Sequence, residues 1–460
     1  MAQDLYLLFL ILFIALNLQS VLSWRMQNST NDISDDQCPP QPHPFGMCKS
    51  RVAAYGYPCE EYHVTTEDGY ILSLKRIPHG LSNATSNSTE DTRTPVLLFH
   101  GLLVDGFCWV LSTPKQSLGF ILADGGFDVW IANCRGTKSS RRHTTLSPED
   151  PAFWDWTWDQ LADYDLPAVL QFIYNKTGGQ KVHYIGHSLG TLIMLAALSD
   201  NKLTDIVRSA ALLCPIAYLN RMKSRLILLA ARIFLAEVKQ CRTNHTTTPH
   251  PPPTPHPTFF LLIRMAMFII VLYLCFYIMQ TIHMLGYHEF NPLGRVAQEL
   301  LGEVCVDPDV DCYDLFSSVA GPDCCLNAST TCIFLQHGPQ STSVKNMIHM
   351  SQLVRKSSIR KYDYGNEKEN MKHYNQTRPP PYDLSSIPRH VPLFFTHGGQ
   401  DFLGDVPDTR HLLRTIIREH DSDDIEVLYM PDYAHGDFVM GYNAPQLIYK
   451  PMVEFFKRVY

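Results

Sequence analysis

The chain has 460 residues, of which 45% are hydrophobic and 18% charged, with a net charge of −7. At roughly 150 residues per unit, that length suggests about three structural parts, and the apolar content excludes a wholly disordered chain. A nucleic-acid surface is excluded as well, because neutralising phosphates takes clustered Lys and Arg that this sequence lacks.

The N-terminus opens with an apolar run, Leu5 to Leu18, followed by Ser20-Val21-Leu22-Ser23. This predicts a signal peptide over residues 1–23, cut near Ser23/Trp24, with a retained anchor as the alternative. Seven N-x-S/T sequons, at Asn28, Asn83, Asn87, Asn175, Asn244, Asn327 and Asn375, agree with a secretory route to an extracellular, vacuolar or lysosomal compartment. Thirteen cysteines suit oxidising surroundings. Cys48 and Cys59 bracket a turn-rich segment, and Cys305, Cys312, Cys324, Cys325 and Cys332 cluster. Adjacent Cys324-Cys325 is awkward for a tetrahedral zinc site, so disulfides are expected, with open connectivity.

Strands are predicted at Glu60 to Thr65, Gly69 to Arg76, Val96 to Phe99, Phe127 to Asn133 and Val182 to Ile185. Helical spacing runs from Trp158 to Tyr174, and an Ala/Leu-rich helix follows Gly190. The alternation lapses after about residue 215 and returns with strands at Val391 to Thr396 and Ile425 to Tyr429. An α/β fold is expected, with a mainly parallel sheet and helices on both faces. Its core comprises 24–214 and 386–460, interrupted by a cap over 215–385.

The chemistry centres on Gly186-His187-Ser188-Leu189-Gly190. A strand precedes this G-x-S-x-G and a helix follows it, so the glycines permit a tight turn that exposes Ser188 as a nucleophile. A serine needs a base, and the base needs an acid. The loop after the Val391 strand offers Asp401, with Asp405 as the alternative. The loop after the Ile425 strand offers His435. His411 and His420 lie in a helical stretch and read as structural. For the oxyanion, the expected donors are the N–H of Leu189 and that of Leu102, in the His100-Gly101-Leu102-Leu103 loop.

With these residues in place, the chain resembles the acid lipase family, which includes gastric lipase, lysosomal acid lipase and plant triacylglycerol lipases. The segments YGYPCEEYHVTTEDGYILSLKRI, LLFHGLL, FWDWTWDQLADYDLPAVL, YIGHSLGT, THGGQD and MPDYAHGDF carry the likeness, and DCYDLFSSVAGPDCCLNAS is most similar to the plant members. The resemblance implies an α/β-hydrolase fold with an inserted cap. It implies a lipase acting on triacylglycerol at an oil–water or membrane interface, with no cofactor, no metal and no obligate protein partner. It also places nucleophile, acid and base on Ser188, Asp401 and His435. A steryl-ester hydrolase and a non-enzymatic lipid-binding relative are the alternatives.

One stretch departs from that family. Val238 to Gln280 joins a Thr/Pro/His-rich run to mostly apolar residues from Phe259 to Met279. A membrane span there would separate Ser188 from Asp401 and His435, so the segment is expected to be foreign to the fold, with a retained intron as its origin and a membrane-associating cap insertion or a disordered surface loop as the alternatives. Just before it, Arg221, Arg225 and Arg232 share a stripe at helical phase, which suits a cap helix or an ordinary buried one.

Overall fold

The computed structural model describes residues 46–81, 93–224, 227–228, 288–291, 317, 319–418, 420 and 424–459. The apolar N-terminus, residues 238–280, Arg225, Arg232, Cys305, Cys312 and the sequons at Asn28, Asn83, Asn87 and Asn244 lie outside them.

Eleven strands are described: β1 (Glu60–Thr65), β2 (Tyr70–Ile77), β3 (Pro95–Phe99), β4 (Asp128–Ala132), β5 (Arg142–His143), β6 (Val182–His187), β7 (Val207–Leu213), β8 (Glu289–Phe290), β9 (Thr342–Ser343), β10 (Leu393–Gly398) and β11 (Ile425–Met430). The main sheet runs β1-β2-β4-β3-β6-β7-β10-β11, with β5 attached to β2. Pairing is parallel from β4 to β11 and antiparallel around β2. Parallel strands need crossovers, and the helices supply them. The helices are α1 (Leu118–Asp124), α2 (Leu166–Lys176), α3 (Leu189–Ser199), α4 (Ala328–His337), α5 (Val344–Arg355), α6 (Glu367–Tyr374) and α7 (Val406–Ile417), with α8 (Asp437–Met440) and α9 (Lys450–Arg458) following the last strand. No helix of the described residues is long and apolar enough to cross a membrane.

β3 and β4 are buried along their whole length, as strands covered on both faces must be. Their side chains alternate between two cores. Leu97, Phe99, Trp130 and Ala132 pack with α2, α3 and α7, whereas Val96, Leu98, Val129 and Ile131 pack with α1, α8 and α9. The predicted strands appear within a residue or two of their expected ends, and β7 joins them unannounced. Cys48 bonds to Cys59, and Cys324 to Cys325. Cys332 is also disulfide-bonded.

At the sheet's carboxyl edge, Arg135 follows β4 and is fully buried. It pairs with Asp165 at 2.6 Å and with Asp68 at 2.6 Å, and its guanidinium lies 3.8 Å from the centre of the Tyr70 ring. The loop after β4, the β1–β2 turn and the helical turn before α2 are thereby locked together. Removing one partner of such a buried pair strands the other charge away from water. Arg135→Ala is therefore expected to destabilise the fold by about 3–5 kcal/mol, read as a shift in the denaturant midpoint with unchanged slope.

Candidate active site

Three loops at the carboxyl ends of β6, β10 and β11 bring the candidate residues together. Ser188 stands between β6 and α3 with φ 53° and ψ −115°, a region that L-residues seldom occupy. The glycines around it supply space. A Cβ on Gly190 would lie 2.6 Å from the Phe99 carbonyl oxygen, and one on Gly186 would lie 2.8 Å from the Gly190 carbonyl carbon. The turn is tied on both sides: Ser188 N–H donates to the Leu213 carbonyl (3.1 Å), and Thr191 Oγ1 donates to the Ser188 carbonyl (2.6 Å).

After β10, Asp401 is completely buried. One carboxylate oxygen accepts from the Leu403 and Gly404 N–H groups at 2.8 Å each, and the other meets His435 Nδ1 at 2.8 Å. Asp405 does something else. Its carboxylate caps α7 by accepting from Asp408 N–H at 3.0 Å. The far nitrogen of His435, Nε2, is buried and has no hydrogen-bond partner among the described residues. Ser188 and His435 line one cavity of about 370 Å³, so an acceptor for a serine proton faces the space where a substrate would sit. His411 is exposed on α7 against the Tyr218 ring, away from this constellation.

The predicted oxyanion residues flank Ser188. Leu189 begins α3, so its N–H has no preceding helical carbonyl to meet. The loop holding Leu102 comes close because a Cβ on Gly101 would be only 3.1 Å from Ser188 Cβ. Leu103 turns the loop away with φ 61° and is held by Gln340 N–H, which donates to its carbonyl at 2.7 Å. His100 fixes the start of this loop: its Nδ1 donates to the Gly101 carbonyl (2.8 Å), and its Nε2 accepts from Cys134 N–H (3.1 Å). Only the neutral ring can do both, and burial lowers its pKa to about 4.

Sequence reasoning did not find the groups that brace the candidate base. His187 Nε2 donates to the His435 carbonyl at 3.1 Å, and the Cys214 thiol reaches the same oxygen at 3.6 Å. Burial, then the neighbouring His435, lowers the His187 pKa to about 3, and burial pushes the Cys214 thiol up. Metal-ligating atoms of His187, Cys214 and His435 lie within 4.8 Å of one another. Two of the three already share the His435 carbonyl, so the cluster works as a brace. The signal available in the sequence was only that these polar residues interrupt apolar runs.

The cavity wall is almost wholly apolar. Leu219 and Met222 contribute from one side, and Phe334, Leu335, Met347 and Val354 from the 319–354 region of the expected cap. Such a wall accepts a hydrocarbon chain and offers charged ligands nothing.

Residues 48–113 match the family described as a partial alpha/beta-hydrolase lipase region, and residues 94–238 match the alpha/beta hydrolase fold. The chain is 45% identical over 413 residues to triacylglycerol lipase 2 of Arabidopsis thaliana, covering 90% of this chain and 88% of that one. It is 36% identical over 411 residues to triacylglycerol lipase 1 of the same plant, covering 89% and 90%. Against the lysosomal acid lipase/cholesteryl ester hydrolase of Macaca fascicularis it is 34% identical over 412 residues, covering 88% and 90%.

The buried neutral histidines set a pH dependence of stability. For His100 the folded pKa of about 4 lies below the ordinary 6.5, so the unfolded chain binds the extra proton between those values. Its contribution is complete above about pH 6.5 and is lost as pH falls through 4. His100→Gln, which stays neutral throughout, should flatten the rise of unfolding free energy with pH across this window by up to about 1.4 kcal/mol per pH unit. Urea denaturation at a series of pH values measures it, and a mutant slope equal to that of the parent would refute the account.

Proposed function

Because the chain belongs to the α/β-hydrolase lipase family, we propose that it is a serine lipase that hydrolyses acyl esters of triacylglycerol through an acyl-enzyme. The observation that carries this reading is the single apolar cavity shared by Ser188 and the unpartnered face of His435.

Ser188 Oγ attacks the ester carbonyl carbon while His435 Nε2 takes its proton. The negative charge gathering on the carbonyl oxygen is received by the N–H groups of Leu102 and Leu189. Asp401 keeps the imidazole oriented and stabilises its transient positive charge. The imidazolium then protonates the departing alcohol, the C–O bond breaks, and the acyl group stays on Ser188. Water repeats the sequence, with His435 accepting its proton, and releases the fatty acid. The apolar wall holds the acyl chain, and its lining from residues 319–354 supports assigning that region to a cap.

A steryl-ester hydrolase is the second reading, favoured by the likeness to the cholesteryl ester hydrolase named above. Purified protein assayed on triacylglycerol, steryl ester and short p-nitrophenyl esters separates the two. Ser188→Ala should lower turnover on every active substrate by several orders of magnitude without unfolding the chain. A serine-directed phosphonate should label Ser188 alone. Labelling at another serine, or full activity without Ser188, would overturn the assignment, and no labelling would leave a non-enzymatic lipid-binding relative.

We further propose that the chain takes the secretory route and that residues 238–280 are foreign to the fold. In support of the first, Asn175, Asn327 and Asn375 are all exposed. In support of the second, the match to the alpha/beta hydrolase fold ends at residue 238. Glycosidase digestion of protein from its native tissue should raise its gel mobility, and its N-terminus should begin near Trp24. Mature transcripts should lack the codons for 238–280. Unshifted full-length protein, or transcripts uniformly carrying the segment, would dismiss the respective idea.

A further inference from the structure

A short stretch of the expected cap is bonded into the acid and base loops themselves. The Ala320 carbonyl accepts two hydrogen bonds, from Phe402 N–H at 3.2 Å and from His435 N–H at 3.2 Å. Phe402 directly follows Asp401, so one carbonyl oxygen spans the backbones of both members of the Asp401–His435 pair. Gly321 lies so close to the first loop that a Cβ there would be 2.0 Å from the Gln400 carbonyl oxygen, and its φ of +106° is open mainly to glycine.

The other end of this strap is held by a carboxylate. Asp437 is completely buried, two residues after His435. It accepts from Ala434 N–H at 2.8 Å, Cys325 N–H at 3.1 Å and Cys324 N–H at 3.2 Å. The first of these donors adjoins His435 and the other two belong to the strap. Tyr442 N–H adds a bond to the Cys325 carbonyl at 2.8 Å. Burial, and next the charge of Asp437, push the neighbouring Asp323 carboxyl up to about 8. Burial raises Asp437 as well, opposed by the three backbone N–H groups that it accepts from.

We propose that Asp437 is a positioning residue for the ester hydrolysis, clipping residues 320–325 across the acid and base loops and so setting the reach of His435 towards Ser188. It touches neither substrate nor the reacting atoms. Its three donors are backbone N–H groups of two separate segments, so losing the carboxylate frees the strap and the His435 loop together. The strap's grip on His435 N–H then slackens, while the His187 and Cys214 contacts to the His435 carbonyl persist. The base keeps its tether to the nucleophile's loop and its side-chain bond to Asp401, and loses the Ala320 carbonyl that ties its backbone N–H to that of Phe402. Misplacing a general base by even an ångström is costly in the chemical step and leaves binding by a distant apolar wall largely intact.

This inference rests on the lipase reading, so the experiment titrates active sites first. Purified full-length parent, Asp437→Ala, Asp437→Asn and Gly321→Ala are labelled with a serine-directed phosphonate to count competent sites. Per-site kcat and KM are then measured on a soluble short-chain p-nitrophenyl ester between pH 4 and 9. Asp437→Ala should lower per-site kcat by 10- to 100-fold with KM changed by less than about threefold, and should move the basic-form limb of the pH profile. Asp437→Asn, which keeps one acceptor oxygen, should fall between it and the parent. Gly321→Ala, which pushes the strap off the Gln400 carbonyl from the other side, should reproduce the kcat loss. If the variants merely show fewer titratable sites, with unchanged per-site kcat and pH profile, Asp437 only supports folding and the proposal fails. If the parent itself is not labelled at Ser188, the lipase reading fails instead.

Discussion

Gly190 sits so close to β3 that a Cβ would lie 2.6 and 3.1 Å from the Phe99 and His100 carbonyl oxygens, and this close approach sets the geometry of the whole site. With no side chain in the way, the first turn of α3 presses onto the end of the central strand, and the chain must turn sharply at Ser188 to get there. A non-glycine residue at φ 53° costs roughly 1–3 kcal/mol. The return comes from α3 itself, every residue of which is buried, including Leu192, Ile193, Leu195 and Leu198. At roughly 1.5–3 kcal/mol for each large apolar side chain, a few of them outweigh the strain. Packing of a helix thus holds the candidate nucleophile in its strained turn.

The parts of the fold legible in the sequence are those where local chemistry and tertiary setting agree. β3, β4 and β6 are apolar runs rich in Val, Ile and aromatic residues that end in a turn, and their places followed from that pattern. β7 was missed because Ala210, Ala211, Leu212 and Leu213 are helix formers. Their extended state comes from bonds to β6 on one side and β10 on the other. The offset of Asp401 from the end of β10 singled it out over Asp405, and the structure supplies a separate occupation for Asp405 as a helix cap. The braces could not be read. His187, Cys214 and the Ala320 carbonyl act on His435 from 248, 221 and 115 residues away, and one of the three is a backbone atom with no sequence signature at all. The cysteines near Ala320 drew attention to that segment as a disulfide cluster, which concealed its contact with the site.

The histidines near Ser188 divide into two kinds by what they face. His435 meets the Asp401 carboxylate at 2.8 Å. His100 and His187 bond only to backbone N–H or carbonyl groups, and loss of solvent lowers their pKa values to about 4 and 3, for His187 against the raising pull of Asp401. Neutrality there matters electrostatically. The His187 ring centre is 5.0 Å from that of His435, and a second cation at that separation would oppose the charge that a base acquires on taking a proton. Burial of His187, which lowers its pKa to about 3, therefore keeps that second cation away from its neighbour.

That division also fixes geometry. Because His187 Nε2 must carry the proton that bonds the His435 carbonyl, its Nδ1 is left as an acceptor on the side where Gly101 passes. A side chain at position 101 would meet that nitrogen and Ser188 Cβ at 3.1 Å each, so the loop carrying Leu102 can approach only as glycine backbone. The same neutral ring thus connects three things that otherwise come from separate strands: the turn at Ser188, the backbone of His435 and the edge of the loop that carries Leu102. The cavity wall beyond is built by different residues, from Leu219 and Met222 to Phe334 and Val354, none of which shares those hydrogen bonds. Selection of the acyl chain can therefore drift by exchanging apolar side chains, while the polar framework that would hold the reacting groups stays as it is.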